Sequence, residues 1–149
     1  MAATHPPPLA TIGYQASTLP EVIGRLSAAG VEIVIDVRAI AASRRPGFSK
    51  TLLAASLGEA GIGYVHLRAL GTPKAGRQAA RAGRVAEMRE IYEAHLEEPD
   101  AQAQLAQAAV LAAERPAALL CFEADARGCH RKIIAERLRA ASGCTVVDL

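Results

Sequence analysis

A triplet of chemically versatile residues, Cys129-His130-Arg131, stands near the C-terminal end of this 149-residue chain. A thiol in the first turn of a helix lies close to unpaired backbone N–H groups and the positive end of the helix dipole, which favour the thiolate. Arg131 can hold a phosphate or carboxylate through paired hydrogen bonds, and His130 can move a proton near neutral pH. The triplet predicts a site with Cys129 and His130 as catalytic residues and Arg131 as an anion ligand. The alternative is that the triplet only caps and anchors the last helix.

A second pair of charged residues, Asp36 and Arg38, follows the apolar run Ile33-Val34-Ile35. Because side chains alternate along a strand, both point to one side with Val37 opposite, so we predict an ion pair. In a functional interpretation Asp36 acts as a catalytic base or orients Arg38 toward an anion. In the structural interpretation the pair only completes the end of the strand.

Three further polar residues follow predicted strand ends. Arg44, in the basic loop Ser43-Arg44-Arg45-Pro46-Gly47, is a predicted anion ligand, with a solvated loop as the alternative. His66 ends a short strand and Lys74 lies in the Gly- and Arg-rich stretch 71–83, and both are predicted to bind the substrate or an anion in the pocket. Because that stretch lacks a clear periodicity, it predicts a mobile loop over the site.

The chain has three cysteines, Cys121, Cys129 and Cys144, in a domain long enough to bury a core without disulfides. This predicts reduced thiols and a cytoplasmic location. Cys121 and Cys129, with His130 and His66, are residue types that bind zinc or iron. However, no CxxC or HxxxH pair is present, so we predict no metal site and place Cys121 in the core, with a Cys121–Cys129 redox pair as a further alternative. No cofactor is identified.

Apolar β-branched runs alternate with helix-period runs along the chain, which is typical of a parallel sheet covered by helices. We predict an α/β three-layer sandwich, Rossmann-like, with a mainly parallel sheet of about five strands. The predicted strands are 9–14, 32–37, 64–67, 117–122 and 144–149, and the predicted helices are 19–29, 50–60, 85–96, 100–114 and 129–141. Since ligands bind beyond the carboxyl ends of such strands, the candidates converge on one pocket.

The composition narrows the class of protein. Hydrophobic residues make up 51% of the chain but aromatic residues only 3%, which argues against a sheet that stacks on RNA bases. A net charge of +2 gives no overall field that drives nonspecific nucleic-acid binding. Residues 1–8 read as a flexible Pro-rich leader without the features of a secretory signal, and no apolar run spans a bilayer. Residues 9–149 therefore form one predicted domain, with no membrane partner.

A series of short motifs extends over nearly the whole chain. In order they are Thr11-Ile12-Gly13-Tyr14, Asp36-Val37-Arg38, Ser43-Arg44-Arg45-Pro46, Phe48-Ser49-Lys50, Gly61-Ile62-Gly63-Tyr64-Val65-His66-Leu67, Leu70-Gly71-Thr72-Pro73-Lys74, Leu119-Leu120-Cys121-Phe122-Glu123 and Cys129-His130-Arg131. In their order and spacing the chain resembles the family called domain of unknown function 488 (DUF488). The resemblance implies a compact three-layer α/β fold with a pocket at the strand ends, and it implies no established activity.

The chain departs from the family pattern at two positions. Gln15 stands where relatives often carry an acid, which argues against an acid or base role there, and Arg68 stands where proline is common. Both changes make the expected pocket more positive.

These residues together predict an enzyme acting on a phosphorylated or otherwise anionic substrate, such as a nucleotide or a nucleic-acid end. Arg38, Arg44 and Arg131 would hold the anion, and Cys129 would be the nucleophile or a ligand-facing thiol. The cysteine-phosphatase pattern does not fit, because Arg131 follows Cys129 by only two positions. The alternative function is a noncatalytic module that binds a nucleotide or nucleic acid. Its predicted basic residues are Arg38, Arg44, Arg45, Lys74, Arg77, Arg81 and Arg84. The Ala-rich helix 100–114 offers a packing face for a homodimer.

Overall fold

A computed structural model describes residues 5–149, in which five strands form one all-parallel sheet. The strands are β1 (Leu9–Gly13), β2 (Ile33–Asp36), β3 (Gly63–His66), β4 (Ala117–Cys121) and β5 (Val146–Asp148). Their order across the sheet is β3-β2-β4-β1-β5, so β4 is central. The predicted parallel sheet is confirmed.

Six α-helices flank the sheet within residues 5–149. They are α1 (Leu19–Ala28), α2 (Lys50–Glu59), α3 (Lys74–Arg81), α4 (Val85–His95), α5 (Pro99–Glu114) and α6 (His130–Ser142), with short 3-10 turns at Arg68–Leu70 and Ala126–Gly128. None of these helices is long and apolar enough to cross a membrane. Half of the predicted leader, residues 1–4, lies outside the described residues.

Two hydrophobic clusters, one on each face of the sheet, hold the layers together. Alternation sends Ile33 and Ile35 into the cluster that contains α4, α5 and α6, and Val34 into the cluster that contains α1 and α2. All residues of β1, β2 and β4 are buried. Burial of both faces explains why these strands read as continuous apolar runs, and it confirms the three-layer α/β sandwich.

The helix ends are specified by local residues. Thr18 and Glu21 form a capping box at the start of α1, as each side chain accepts a hydrogen bond from the other's backbone N–H. Ser49 occupies the N-cap position of α2, but its hydroxyl makes no capping hydrogen bond, because it accepts from the Ser43 N–H and donates to the Ser43 carbonyl. Ser49 therefore closes the basic loop that precedes α2.

The prediction of a mobile loop over the stretch 71–83 is wrong, because this stretch contains α3. Only small residues of α3 face the interior: Gly76 lies against Thr72 and Ile91, and Ala79 is fully buried. The small inward residues let α3 pack closely on α4. They also remove the apolar periodicity by which a helix is recognised in a sequence.

Candidate functional site

A cavity of about 670 Å³ opens where β1, β2 and β4 end. Its walls come from the loops after these three strands, from the start of α6, and from α3 and α4. The volume lies in the range of small-molecule sites. The structure thus has a cavity at the strand ends, where the sequence predicted the pocket.

Cys129 and His130 lie next to each other at the start of α6, and both line the cavity. His130 Nε2 is 2.7 Å from the Val37 carbonyl oxygen. Because a carbonyl only accepts hydrogen bonds, Nε2 carries a proton, and the Nδ1 of the neutral ring has a free lone pair. Nδ1 is 3.6 Å from the Cys129 Sγ. The two side chains therefore form a thiol–imidazole pair with a defined tautomer.

Asp36 and Arg38 form the predicted ion pair, with Arg38 Nη2 2.7 Å from Asp36 Oδ2. Arg38 also donates to the Tyr14 hydroxyl and to the Phe48 carbonyl, and Asp36 accepts from the Tyr64 hydroxyl. Burial opposes the charge of Arg38, but the hydrogen bonds and charge of Asp36 raise the pKa of Arg38 above its ordinary value. Burial and the hydrogen bond to Asp36 likewise raise the pKa of Tyr64. Arg38 lines the cavity, but its donors are largely engaged, and Asp36 is not a lining residue. The geometry favours the structural interpretation of this pair.

Arg131 does not line the cavity, because its side chain turns into the protein and is fully buried. Its Nη1 donates to the Cys121 Sγ at 2.9 Å and to the Glu123 carbonyl, and its Nη2 donates to the Ala124 carbonyl at 3.2 Å. Its Nε has no hydrogen-bond partner among the described residues. The Arg131 guanidinium therefore fixes the loop between β4 and α6 by hydrogen bonds to its backbone carbonyls.

That loop brings together three potential metal ligands, Cys121, Glu123 and Cys129, whose ligand atoms all lie within 4.8 Å of one another. The Cys129 Sγ is 3.6 Å from Glu123 Oε2. Cys121 is buried at the end of β4, as predicted, but it also lines the cavity. Glu123 was missed as a site residue. Its signal in the sequence is its position two residues after Cys121 in a segment that leads back to Cys129.

Three arginines, Arg44, Arg77 and Arg81, line the same cavity. Within residues 5–149 none of them forms a salt bridge with a carboxylate. Arg77 donates to the Thr72 carbonyl at 2.8 Å. Arg44 is thus where the prediction placed it. Arg77 and Arg81 had entered only the nucleic-acid-binding alternative, because their helix was predicted as a loop.

The two remaining site candidates, His66 and Lys74, lie outside the cavity wall. His66 Nε2 is 2.7 Å from the Arg38 carbonyl oxygen and supports the end of β3, while Lys74 is exposed at the start of α3. Arg68 lies on a 3-10 turn and does not line the cavity. Gln15 lines it, and its side-chain oxygen accepts from the Ala124 N–H. The structure therefore does not bring His66, Lys74 or Arg68 into contact with the cavity.

The fold and the cavity define the class of protein: an all-parallel α/β sandwich with thiol, imidazole and guanidinium groups around one strand-end cavity. The chain belongs to the family described as Domain of unknown function DUF488, whose model matches residues 18–138. Comparisons with curated proteins and with solved structures gave no significant match.

Proposed function

We propose that this protein is an enzyme that acts on a phosphorylated or otherwise anionic substrate, such as a nucleotide or a nucleic-acid end, in the strand-end cavity. One observation carries the proposal: the three wall arginines, Arg44, Arg77 and Arg81, line the same cavity as the Cys129–His130 pair. Guanidinium groups bind phosphate through paired, charge-assisted hydrogen bonds. Since these three have no carboxylate partner within residues 5–149, their guanidinium groups are available to an anionic ligand.

The residues divide into groups that contact the substrate and groups that position them. The wall arginines bind the anion, and the Cys129–His130 pair supplies the reactive groups, with Nδ1 placed to accept a proton. Arg131 positions the β4–α6 loop, and Asp36 positions Arg38. In this proposal Arg131 and Asp36 act through their neighbours rather than on the substrate.

The anion site is tested by calorimetric titration with pyrophosphate and nucleoside diphosphates. Loss of one charge-assisted hydrogen bond costs about 1.5–3 kcal/mol, so Arg77→Ala and Arg81→Ala should each weaken binding roughly ten- to hundredfold. The matched control is Arg84→Ala, an exposed residue outside the cavity that pairs with Glu87. Unchanged affinity in both cavity variants, or an equal loss in the control, would show that the anion does not bind here.

The catalytic part is tested by turnover of a panel of phosphate esters, phosphoanhydrides and nucleic-acid ends. Cys129→Ser and His130→Ala should abolish turnover while pyrophosphate affinity and folding are largely kept. Cys144→Ser is the control for loss of a buried thiol away from the cavity. Turnover that survives both substitutions would place the catalytic centre elsewhere. Absence of turnover, together with nucleic-acid binding that falls steeply with salt, would favour the noncatalytic module.

A further inference from the structure

We infer that Cys121, Glu123 and Cys129 bind one divalent transition-metal ion, with zinc the best fit, at the base of the cavity. Two thiolates and a carboxylate form a donor set suited to zinc, and three protein ligands leave a fourth position for water or substrate, as in catalytic zinc sites. The presence of the ion is independent of the proposed function. Its catalytic role rests on that function, since both concern the same cavity.

The distances fit a tetrahedral shell. Zn–S bonds of about 2.3 Å and Zn–O bonds of about 2.0–2.2 Å place neighbouring ligand atoms roughly 3.5 Å apart. The Cys129 Sγ and the Glu123 Oε2 are 3.6 Å apart, and all three ligand atoms lie within 4.8 Å of one another. Small side-chain rotations therefore suffice to close the shell around an ion.

Two of the three ligands belong to regular elements, and the third, Glu123, lies on a short loop that these elements and their neighbours hold in place. Cys121 ends the central strand β4 and Cys129 begins α6, and both side chains are buried. The loop between them passes directly over Gly13, where a Cβ atom would lie only 1.6 Å from the Glu123 carbonyl oxygen. Arg131 also donates a hydrogen bond to this carbonyl. Precise support of this kind is typical of a ligand site.

The charge of Arg131 provides an independent argument. Its guanidinium is fully buried, and within residues 5–149 it forms no salt bridge with a carboxylate. An unpaired buried charge is strongly destabilising. A divalent ion with two thiolates and one carboxylate carries a net charge of −1, which offsets the charge of Arg131. The Nη1 group already lies 2.9 Å from the Cys121 Sγ, where it would donate to a metal-bound thiolate.

His130 then acquires a specific role. Its Nδ1 lies 3.6 Å from the Cys129 Sγ, and its Nε2–H is fixed by the Val37 carbonyl. An ion held by Cys121, Glu123 and Cys129 would supply Lewis-acid activation of water and of the phosphoryl group. His130 Nδ1 would accept the proton of the water that attacks phosphorus and would return it to the leaving oxygen as the bond from phosphorus to that oxygen breaks. The proposed reaction is therefore a hydrolysis, with Cys129 as a ligand rather than the nucleophile.

The test uses the full chain, purified under reducing conditions, stripped with a chelator and titrated with Zn²⁺ or Co²⁺ alone. We expect one ion per chain by elemental analysis and a thiolate-to-Co²⁺ charge-transfer band in the near ultraviolet. Cys121→Ser, Cys129→Ser and Glu123→Gln should each lower Co²⁺ affinity by more than about tenfold. Even the loss of a residue that only hydrogen-bonds to a metal ligand lowers metal affinity about 10–100-fold. Cys144→Ser should bind normally. Circular dichroism verifies folding, and Glu123→Gln, a half-buried isosteric change, keeps the test valid if a cysteine variant unfolds.

Pyrophosphate titrations of the same samples separate the two proposals. No stoichiometric Co²⁺ binding, or full binding by Glu123→Gln and Cys129→Ser, would overturn the metal site and leave the anion site intact. Normal Co²⁺ binding without pyrophosphate binding would overturn the proposed function and leave the metal site intact. Loss of metal in the Cys129 and Glu123 variants, with metal kept in Arg77→Ala, is the expected result.

Discussion

At the level of single residues, the arginines differ in what their guanidinium groups contact. Arg38 is buried against the carboxylate of Asp36, and Arg131 is buried against a cysteine and two backbone carbonyls. Arg44, Arg77 and Arg81 instead line the cavity. Among these five arginines, Arg44, Arg77 and Arg81 alone line the cavity without a carboxylate partner in residues 5–149. Burial and partners, rather than residue type, therefore single out the proposed anion site.

Asp36→Asn should lower the free energy of unfolding by about 3–5 kcal/mol, because it leaves the buried Arg38 guanidinium without its counter-charge. Urea denaturation followed by circular dichroism measures the change. The control is Glu87→Gln, which breaks an exposed ion pair with Arg84 and should cost at most about 1 kcal/mol. Similar losses in the two variants would contradict the structural role of the Asp36–Arg38 pair.

The position of Cys129 and His130 at a helix start could be predicted from the sequence, but the direction of Arg131 could not. The first turn of a helix exposes side chains to solvent, to a pocket or to the preceding loop, and the choice depends on which segment packs there. Here the Glu123–Ala124 carbonyls lie within reach and bind the guanidinium. Glu123 was missed because only the folded loop brings it to Cys129.

At the level of elements, a strand or helix was predicted correctly from the sequence when it buries several large apolar side chains. β1, β2 and β4 were predicted to within one or two residues, because fully buried strands read as uninterrupted apolar runs. α3 was missed because it packs through Gly76 and Ala79. Since α3 carries two of the three wall arginines, this one error removed most of the anion site from the prediction.

Gly13→Ala should destabilise the protein by about 1–3 kcal/mol and weaken Co²⁺ binding. The reason is that the new methyl group collides with the Glu123 backbone carbonyl, so the loop carrying Glu123 must move away from the end of β1. Chemical denaturation and the Co²⁺ charge-transfer band provide the two measurements.

Gly24→Ala is the matched control, because Gly24 lies within α1 and a methyl group added there would meet no atom within 4 Å. This change should stabilise the protein by about 0.5–1 kcal/mol through the higher helix propensity of alanine. We therefore expect Gly13→Ala to lower the free energy of unfolding and Gly24→Ala to raise it. Stabilisation by Gly13→Ala would show that the loop does not need its close approach to β1.

At the level of the whole molecule, charge is nearly balanced, with 17 Lys and Arg against 15 Asp and Glu. Positive charge is instead concentrated at the cavity. The three arginines without a carboxylate partner line it, and Glu123 is the only acidic residue among its described lining residues. This distribution favours a compact anion over a long nucleic-acid backbone. The dimer face on α5 and the cytoplasmic location stay predictions; Val110, on that helix, is 59% exposed.

Pyrophosphate at about 100 times its Kd should raise the free energy of unfolding by about 2.7 kcal/mol, because it binds only the folded protein. The stabilisation, measured by urea denaturation with and without the ligand, should be largely lost in the Arg77→Ala/Arg81→Ala double variant. At a fixed pyrophosphate concentration, added NaCl should also reduce it by screening the exposed guanidinium groups. An undiminished effect in the double variant would mean that pyrophosphate stabilises the fold from another place.

Because all five strands are parallel, their carboxyl ends lie on one side of the domain and their amino ends on the opposite side. The loops that leave the strands lie on the side of the cavity. The turns at Gly30 and Gly61, which lead into β2 and β3, lie on the opposite side. Both glycines have open space around them. Fluorophores, epitope tags or fused domains attached beside Gly30 or Gly61 would therefore give a protein that can be labelled or immobilised with its cavity facing away from the attachment.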